Sequence, residues 1–486
     1  MTEQFQSDEV SNPGPETVEA WLDLLQRAGA VGDSLFGVQY DLNAAWREID
    51  SQMVGASWCN KNCTDEFGNY VCDAAVTLNR GLRPKTVAPA EIVISSLAKL
   101  AEGVEAARVA FFNGEFQAYC ENFTIPSVVA SAMRQALDQP KIEFNWFGGN
   151  PELNRGVVTI NQAARAAGHT TNLTTTGSRF MREPAFVADI MHDPPSRIAL
   201  SADDFESSAD IRRLANLSPD ELKGEWAKIN PRHGQRQKAY EAVYTAKLAA
   251  ANADFPPLMF NMVLHNGNLG QAHEIIAALT ESFPGVQINP FPAQSAFHYS
   301  SQPAISVEHA SELRDFIDHM LETQVTALHS GQSTSPYVSR IHYWLMLRSA
   351  FDWAGDNTAA AMHMLAGNDI WQCYRSPLAG SYLQVGLGPL GQTRASDAEY
   401  PGEHLGCFWN RRTVTDPGQI SSELATASDI TRYIQIGKTA LASTSRRKCP
   451  GCAFPRLTSH IIATESGMDP RIVPFYLARR ANAFGF

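Results

Sequence analysis

From residue 53 to residue 293 the chain alternates short apolar runs with helical patterns, and this alternation constrains the fold more than any other feature. The runs fall at 53–58, 142–147, 171–175, 197–201, 258–264 and 286–289. Helical spacing fills the gaps, as at 126–137, 157–167 and 271–283. In the last of these Ala272, Ile275, Ile276, Leu279 and Phe283 recur on one face before Pro284-Gly285 stops the helix. Parallel strands need crossovers long enough to hold a helix, so the pattern predicts a parallel sheet with helices outside. Six runs predict an α/β fold in the form of a partial (β/α)6 TIM-like barrel rather than a closed eight-stranded one.

The flanks read differently. Residues 1–50 hold an amphipathic helix (Val18, Trp21, Leu22, Leu25) and a connector, expected as an N-terminal helical extension. The barrel is expected over 51–300. A helical connector over 301–365 follows, with helices at 307–328 and 336–351. Residues 366–486 read as an α+β C-terminal domain rich in Gly, Pro and Cys, with too little apolar material for a core of its own. A net charge of −12 without a basic stripe argues against a nucleic-acid partner. No window reaches the apolar length of a membrane span, and the N-terminus lacks a signal pattern, so the expected location is the cytoplasm. There the eight cysteines are expected as ligands or free thiols rather than disulfides.

Those cysteines fall into two groups. Cys59, Cys63 and Cys72 lie within fourteen residues, directly after the first apolar run, with Cys120 further on. Three soft thiolates on one loop suit an iron–sulfur cluster, and a [4Fe–4S] cube held by three keeps one iron open for a ligand. A partial zinc site or plain buried thiols are the alternatives. The second group is Cys373, Cys407, Cys449 and Cys452, the last two in a Cys-x-x-Cys pair. Four thiolates satisfy a tetrahedral zinc or a fully ligated cluster.

Polar strand ends supply the other signals. The second run closes on Gly148-Gly149-Asn150-Pro151-Glu152, where glycines let a ligand approach the backbone and Asn150 and Glu152 offer acceptors for an ammonium group. A plain strand-to-helix turn, with Pro151 opening the helix, is the alternative. The third run closes on Thr174 and Thr176, and the fourth on Ser201 and Asp203, residues that also make ordinary helix caps. Successive polar strand ends face one mouth of a parallel barrel, where such folds carry their active sites. Beyond the fifth and sixth runs, Asn266, Asn268, Gln294, His298 and Tyr299 are candidate substrate contacts or solvated loop residues.

The order of these signals over roughly residues 50–295 resembles the radical S-adenosylmethionine enzymes. In that family a three-cysteine loop follows the first strand, a Gly-Gly-Glu-Pro motif ends the second, and polar strand ends further on contact the nucleoside. The resemblance implies that Cys59, Cys63 and Cys72 hold a catalytic [4Fe–4S] cluster. It implies that Gly148, Gly149, Asn150, Pro151, Glu152, Thr174, Thr176, Ser201 and Asp203 bind S-adenosylmethionine. One electron from the cluster would then release a 5′-deoxyadenosyl radical that abstracts hydrogen from substrate. The chain departs from the family in its Cys-x3-Cys-x8-Cys spacing, where the family has two residues before the last cysteine, and in Asn150 for the glutamate. Cys120 is the alternative third ligand, and Glu152 the alternative source of the charge.

The C-terminal cysteines resemble the auxiliary-cluster domains called SPASM or twitch, with the segment from Gly380 to Gly391 as their opening hairpin. That implies a second [4Fe–4S] cluster on Cys373, Cys407, Cys449 and Cys452, with structural zinc as the alternative. The expected function is hydrogen abstraction from a small-molecule substrate in specialised metabolism, with flavodoxin or ferredoxin as the one-electron donor. A ribosomal peptide is the alternative substrate, and a non-catalytic, zinc-stapled barrel is the alternative class.

Overall fold

The computed structural model describes residues 17–20, 22, 36–49, 52–57, 89–110, 112–113, 117, 127–137, 142–147, 149–202, 205, 207–230, 233–292, 305–329, 344, 347–348, 351, 354–365 and 382–386. Seven strands form one parallel sheet: β1 (Phe36–Asp41), β4 (Ile142–Phe147), β5 (Thr170–Thr175), β6 (Arg197–Ser201), β7 (Leu258–Leu264), β8 (Gln287–Pro292) and β9 (Tyr382–Gly386). Their spatial order is β8-β7-β6-β5-β4-β1-β9. The two remaining strands, β2 (Ala44–Ile49) and β3 (Gln52–Ser57), pair antiparallel as a separate hairpin. The fold is therefore α/β, as the alternation predicts.

Two strands depart from the sequence reading. The run at 53–58 is not the first sheet strand; it forms the returning arm of the hairpin, and β1 takes its place beside β4. Gly37, Gln39 and Asp41 interrupt the apolar pattern of β1, which is why it reads as a connector. Its anchors are Tyr40 and, just beyond its end, Leu42, both buried. The second departure is β9, which lies within the stretch expected as a separate domain with its own hairpin. Instead it pairs parallel to β1, from Gly37↔Tyr382 to Asp41↔Gly386, capping an edge that would otherwise present unpaired backbone groups.

The helices follow the apolar spacing. They are α1 (Ala90–Ala110), α2 (Ser127–Leu137), α3 (Val157–Ala166), α4 (Ser178–Arg182), α5 (Pro184–His192), α6 (Ser208–Asn216), α7 (Pro219–Trp226), α8 (Gly234–Ala250), α9 (Ala272–Ser282), α10 (Ala310–His329) and α11 (Thr358–Leu365). Local chemistry sets their ends. Ser207 caps α6 by accepting from the Asp210 amide at 3.2 Å, and Ser218 and Glu221 form a capping box at the start of α7. Gly285, at φ 87, ends the α9 connection where an L side chain is strained.

Side chains alternate along β4, β5, β7 and β8, and this divides the sheet into two faces. Ile142, Phe144 and Trp146 of β4 join Leu173, Ile198, Leu200, Phe260 and Ile288 in a core closed by Val157, Ile160, Ile211, Val243 and Ile275 of the helices. Phe144 stacks on Trp146 at 5.4 Å between ring centroids. Each such aromatic or aliphatic side chain contributes about 1.5–3 kcal/mol on burial, so the helix-covered face dominates the stability of the sheet. The opposite face is half-buried and largely polar: Glu143, Asn145, Asn172 and Thr174, then Ser201, Asn261 and Asn289.

Candidate functional site

The strongest convergence of polar side chains sits just beyond the C-terminal ends of β4 and β5. After β4 the chain passes Gly149, at φ 54, into an extended Asn150, and Pro151–Leu153 form a 3-10 turn. Left-handed backbone at Gly149 is what swings Asn150 inward, a conformation that costs other residues free energy. Asn150 and Glu152 are both fully buried.

The Asn150 amide is hydrogen-bonded across this junction in both directions. Its Nδ2 donates to Glu152 Oε1 at 2.9 Å, Thr176 Oγ1 at 3.0 Å and Ser178 Oγ at 3.2 Å. Its Oδ1 accepts from the Thr175 hydroxyl at 2.9 Å and the Thr176 amide at 3.4 Å. Glu152 Oε1 also accepts from the Ser178 hydroxyl and from the Arg179 amide at 3.0 Å. Arg179 Nη1 donates to the Glu152 backbone carbonyl at 2.6 Å, while its Nε pairs with Glu183 at 2.8 Å. Glu152 Oε2 is buried without a hydrogen-bond partner among the described residues. A buried acceptor of this kind costs about 1–3 kcal/mol, and more when charged, unless a donor meets it.

Gly177 makes the turn into α4. It has φ 86, and a Cβ there would lie 2.7 Å from Thr245 Oγ1 and 3.1 Å from the Glu241 carbonyl. No other residue fits without displacing α8. The β1–β2 turn is tied to the same junction, since Asn43 Nδ2 donates to the Asn150 carbonyl at 2.6 Å and Asn154 Nδ2 to the Leu42 carbonyl at 2.7 Å. The ends of β1, β4 and β5 are thus locked together by side-chain amides.

Several residues marked in the sequence therefore meet here: Gly149, Asn150, Pro151, Glu152 and Thr176. Thr174 lies on the same strand but on the other, half-buried face. Ser201 ends β6 in register with Asn261, and it too is half-buried. Asn268 bonds within its own turn, to the His265 amide and the Val263 carbonyl, while the Asn266 carbonyl oxygen Oδ1 accepts from the Ser306 amide at 2.9 Å. Both serve their loops. Gly148, Asp203, Gln294, His298, Tyr299 and the cysteines Cys59, Cys63, Cys72, Cys120, Cys373, Cys407, Cys449 and Cys452 lie outside the described residues. Among the described residues no group of His, Cys, Asp and Glu is arranged to hold a metal ion, and no helix is long and apolar enough to cross a membrane.

The structure adds Thr175, Ser178 and Asn43, which the sequence reading passes over. Thr175 and Ser178 flank Thr176-Gly177 in a run of hydroxyls, and that density was the available signal. Asn43 gave none.

No family model matches the chain, and no curated protein matches it. Among solved structures, SuiB of Streptococcus suis bound to S-adenosylmethionine is similar at 11% identity with a TM-score of 0.38, covering 76% of this chain and 61% of that one. The chain thus spans about three-fifths of that relative. SuiB bound to the precursor peptide SuiA gives 9% identity and 0.41, with 93% and 78% covered. TYW1 with a lysine–pyruvate adduct gives 11% and 0.27, with 55% and 72% covered. Scores this low do not establish a shared fold.

Proposed function

We propose that the chain is a radical S-adenosylmethionine enzyme acting on a small molecule, with the junction of β1, β4 and β5 as its cofactor site. The observation that carries this reading is the connection between that junction and the first cysteine group. Ser57 ends β3 in register with Ala44, and Ala44 is three residues past the end of β1. The hairpin therefore returns the chain to the C-terminal end of β1. Cys59 follows two residues later, a span of at most about 7 Å by covalent geometry. The described strand thus ends at Ser57, next to the β1–β2 turn whose Asn43 bonds the Asn150 carbonyl, two residues short of Cys59 in sequence.

The donor set fits the implied groups. Three thiols in one short segment suit a [4Fe–4S] cluster, and Cys59, Cys63 and Cys72 would hold it, with Cys120 the substitute for Cys72. The unpartnered Glu152 Oε2 supplies the acceptor for the ammonium group of S-adenosylmethionine. Asn150 cannot serve as that acceptor while its Oδ1 takes bonds from Thr175 and Thr176; it positions Glu152 instead. Ser178 and the Arg179 amide fix the other carboxylate oxygen. When bound, the cluster and S-adenosylmethionine supply the electron and the hydrogen-abstracting radical; the protein orients them and excludes water. A partial barrel around this site, a second cluster on Cys373, Cys407, Cys449 and Cys452, and an electron donor of the flavodoxin or ferredoxin type complete the proposal.

Anaerobically purified protein tests it. The expected preparation is brown, contains iron, and forms 5′-deoxyadenosine from S-adenosylmethionine and dithionite. A C59A/C63A/C72A variant should lose about four irons and that activity. If C72A alone keeps both, the third ligand is elsewhere, and Cys120 is the next residue to substitute. Colourless, zinc-containing protein would overturn the reading.

A further inference from the structure

One residue holds Glu152 at both ends. The Arg179 backbone amide donates to the Glu152 carboxylate Oε1 at 3.0 Å, and Arg179 Nη1 donates to the Glu152 backbone carbonyl at 2.6 Å. The guanidinium is itself fixed on two sides. Its Nε donates to Oε2 of Glu183, the residue between α4 and α5, at 2.8 Å. Its Cζ lies 4.1 Å from the centroid of the Phe186 ring, a cation–π contact. Phe186 packs edge-on against Phe180 at 5.2 Å, and both rings belong to the core. The Arg179 side chain is 18% exposed and that of Glu183 47%. An ion pair with one partner largely in water contributes little alone, so the aromatic platform and the carbonyl bond do most of the holding.

The bonds Arg179 does not make matter as much. Among the described residues no ion pair joins its guanidinium to the Glu152 carboxylate. Arg182, one turn on, is also engaged elsewhere, with its Nε on the Ser178 carbonyl and its Nη2 on the Ser178 hydroxyl. The donors that reach Oε1 are a hydroxyl and two amide N–H groups, all neutral. A guanidinium on Oε2 would neutralise the carboxylate and fill the place an ammonium needs. Fastened to the carbonyl instead, Arg179 fixes the turn and leaves Oε2 open. We propose that Arg179 is a positioning residue for cofactor recognition: its side chain clamps the Glu152 carbonyl without pairing with the carboxylate, and so holds Oε2 where the ammonium group of S-adenosylmethionine meets it. This rests on the reading of the junction as the S-adenosylmethionine site and deepens it by naming what keeps the ammonium acceptor in place and unoccupied.

Equilibrium titrations of the anaerobically purified, unreduced full chain test this with two ligands. One is S-adenosylmethionine; the other is 5′-methylthioadenosine, which shares the nucleoside and lacks the ammonium group. R179M removes the clamp on the carbonyl and keeps the backbone bond to Oε1. It should bind S-adenosylmethionine about tenfold more weakly, the lower end of losing a charge-assisted bond, and 5′-methylthioadenosine as tightly as the unaltered protein does. R179K keeps a donor for the carbonyl without the planar fork, and should recover part of the loss. An equal loss for both ligands in R179M would mark a residue needed only for folding. Unchanged or tighter S-adenosylmethionine binding would make Arg179 a bystander or a competitor for Glu152. Either result overturns the proposal while leaving the cofactor site standing. Unaltered protein that does not bind S-adenosylmethionine at all would overturn the reading of the junction, and this proposal with it.

Discussion

Replacing Asn150 by alanine and by aspartate separates what the junction does from what it merely contains. N150A removes the donor to the Glu152 carboxylate and leaves the Thr175 hydroxyl buried without its acceptor. A bond to a charged group contributes about 1.5–3 kcal/mol and an orphaned hydroxyl costs about 1–3 kcal/mol, so N150A should destabilise by about 3–5 kcal/mol at every pH. N150D behaves differently. It sets a new carboxyl where Nδ2 now lies 2.9 Å from Glu152 Oε1, in a site with no exposure. Two carboxylates cannot both ionise there, so the new group keeps its proton in the folded state and loses it in the unfolded chain above its ordinary value near 3.9. The folded state then binds one proton more than the unfolded, and stability falls by about 1.4 kcal/mol per pH unit as pH rises. Urea unfolding of both variants at pH 5 and pH 7 reads the difference. N150D should lose about 2.7 kcal/mol relative to N150A across that interval. Parallel pH dependences would refute the juxtaposition of Asn150 and Glu152.

Other perturbations follow from the same geometry. G177A should destabilise by about 2–4 kcal/mol, combining left-handed strain with the approach to Thr245 Oγ1, and G177A/T245A should recover only the steric part in urea melts. S178A removes one donor to Glu152 and one acceptor of Asn150, and should weaken S-adenosylmethionine binding in equilibrium titrations more than S178T does. Burial, and then the neighbouring His319, depresses His273 below its ordinary value. Its contribution to stability is therefore complete above the unfolded value near 6.5 and is lost as pH falls below it. H273F, which keeps the ring stacked on Phe316, should flatten the stability profile between pH 7.5 and pH 5.

Much of the sheet was legible because its strands are apolar on a period of two and its helices on a period of 3.6. The runs containing Phe144, Leu173, Leu200, Phe260 and Ile288 all became neighbouring strands. β1 was not legible, since Tyr40 and Leu42 anchor a strand otherwise broken by Gly37, Gln39 and Asp41. Nor was β9, whose partner is set by a free edge in the tertiary fold and not by any local signal. At the site, Asn150, Glu152 and Thr176 could be marked as strand-end polar residues. The division of labour between Asn150 and Glu152 could not, because it depends on which oxygen of each finds a donor once Ser178 and Arg179 close over the turn.

The most direct measurement is electron paramagnetic resonance of the dithionite-reduced protein with and without S-adenosylmethionine. On the proposed reading, an iron left open by three thiolates would take the amino and carboxylate groups of S-adenosylmethionine, so the reduced-cluster signal should shift on addition, and the shift should be lost in C59A/C63A/C72A. A signal indifferent to S-adenosylmethionine, or an S-adenosylmethionine-dependent shift that survives in the triple variant, would contradict the account.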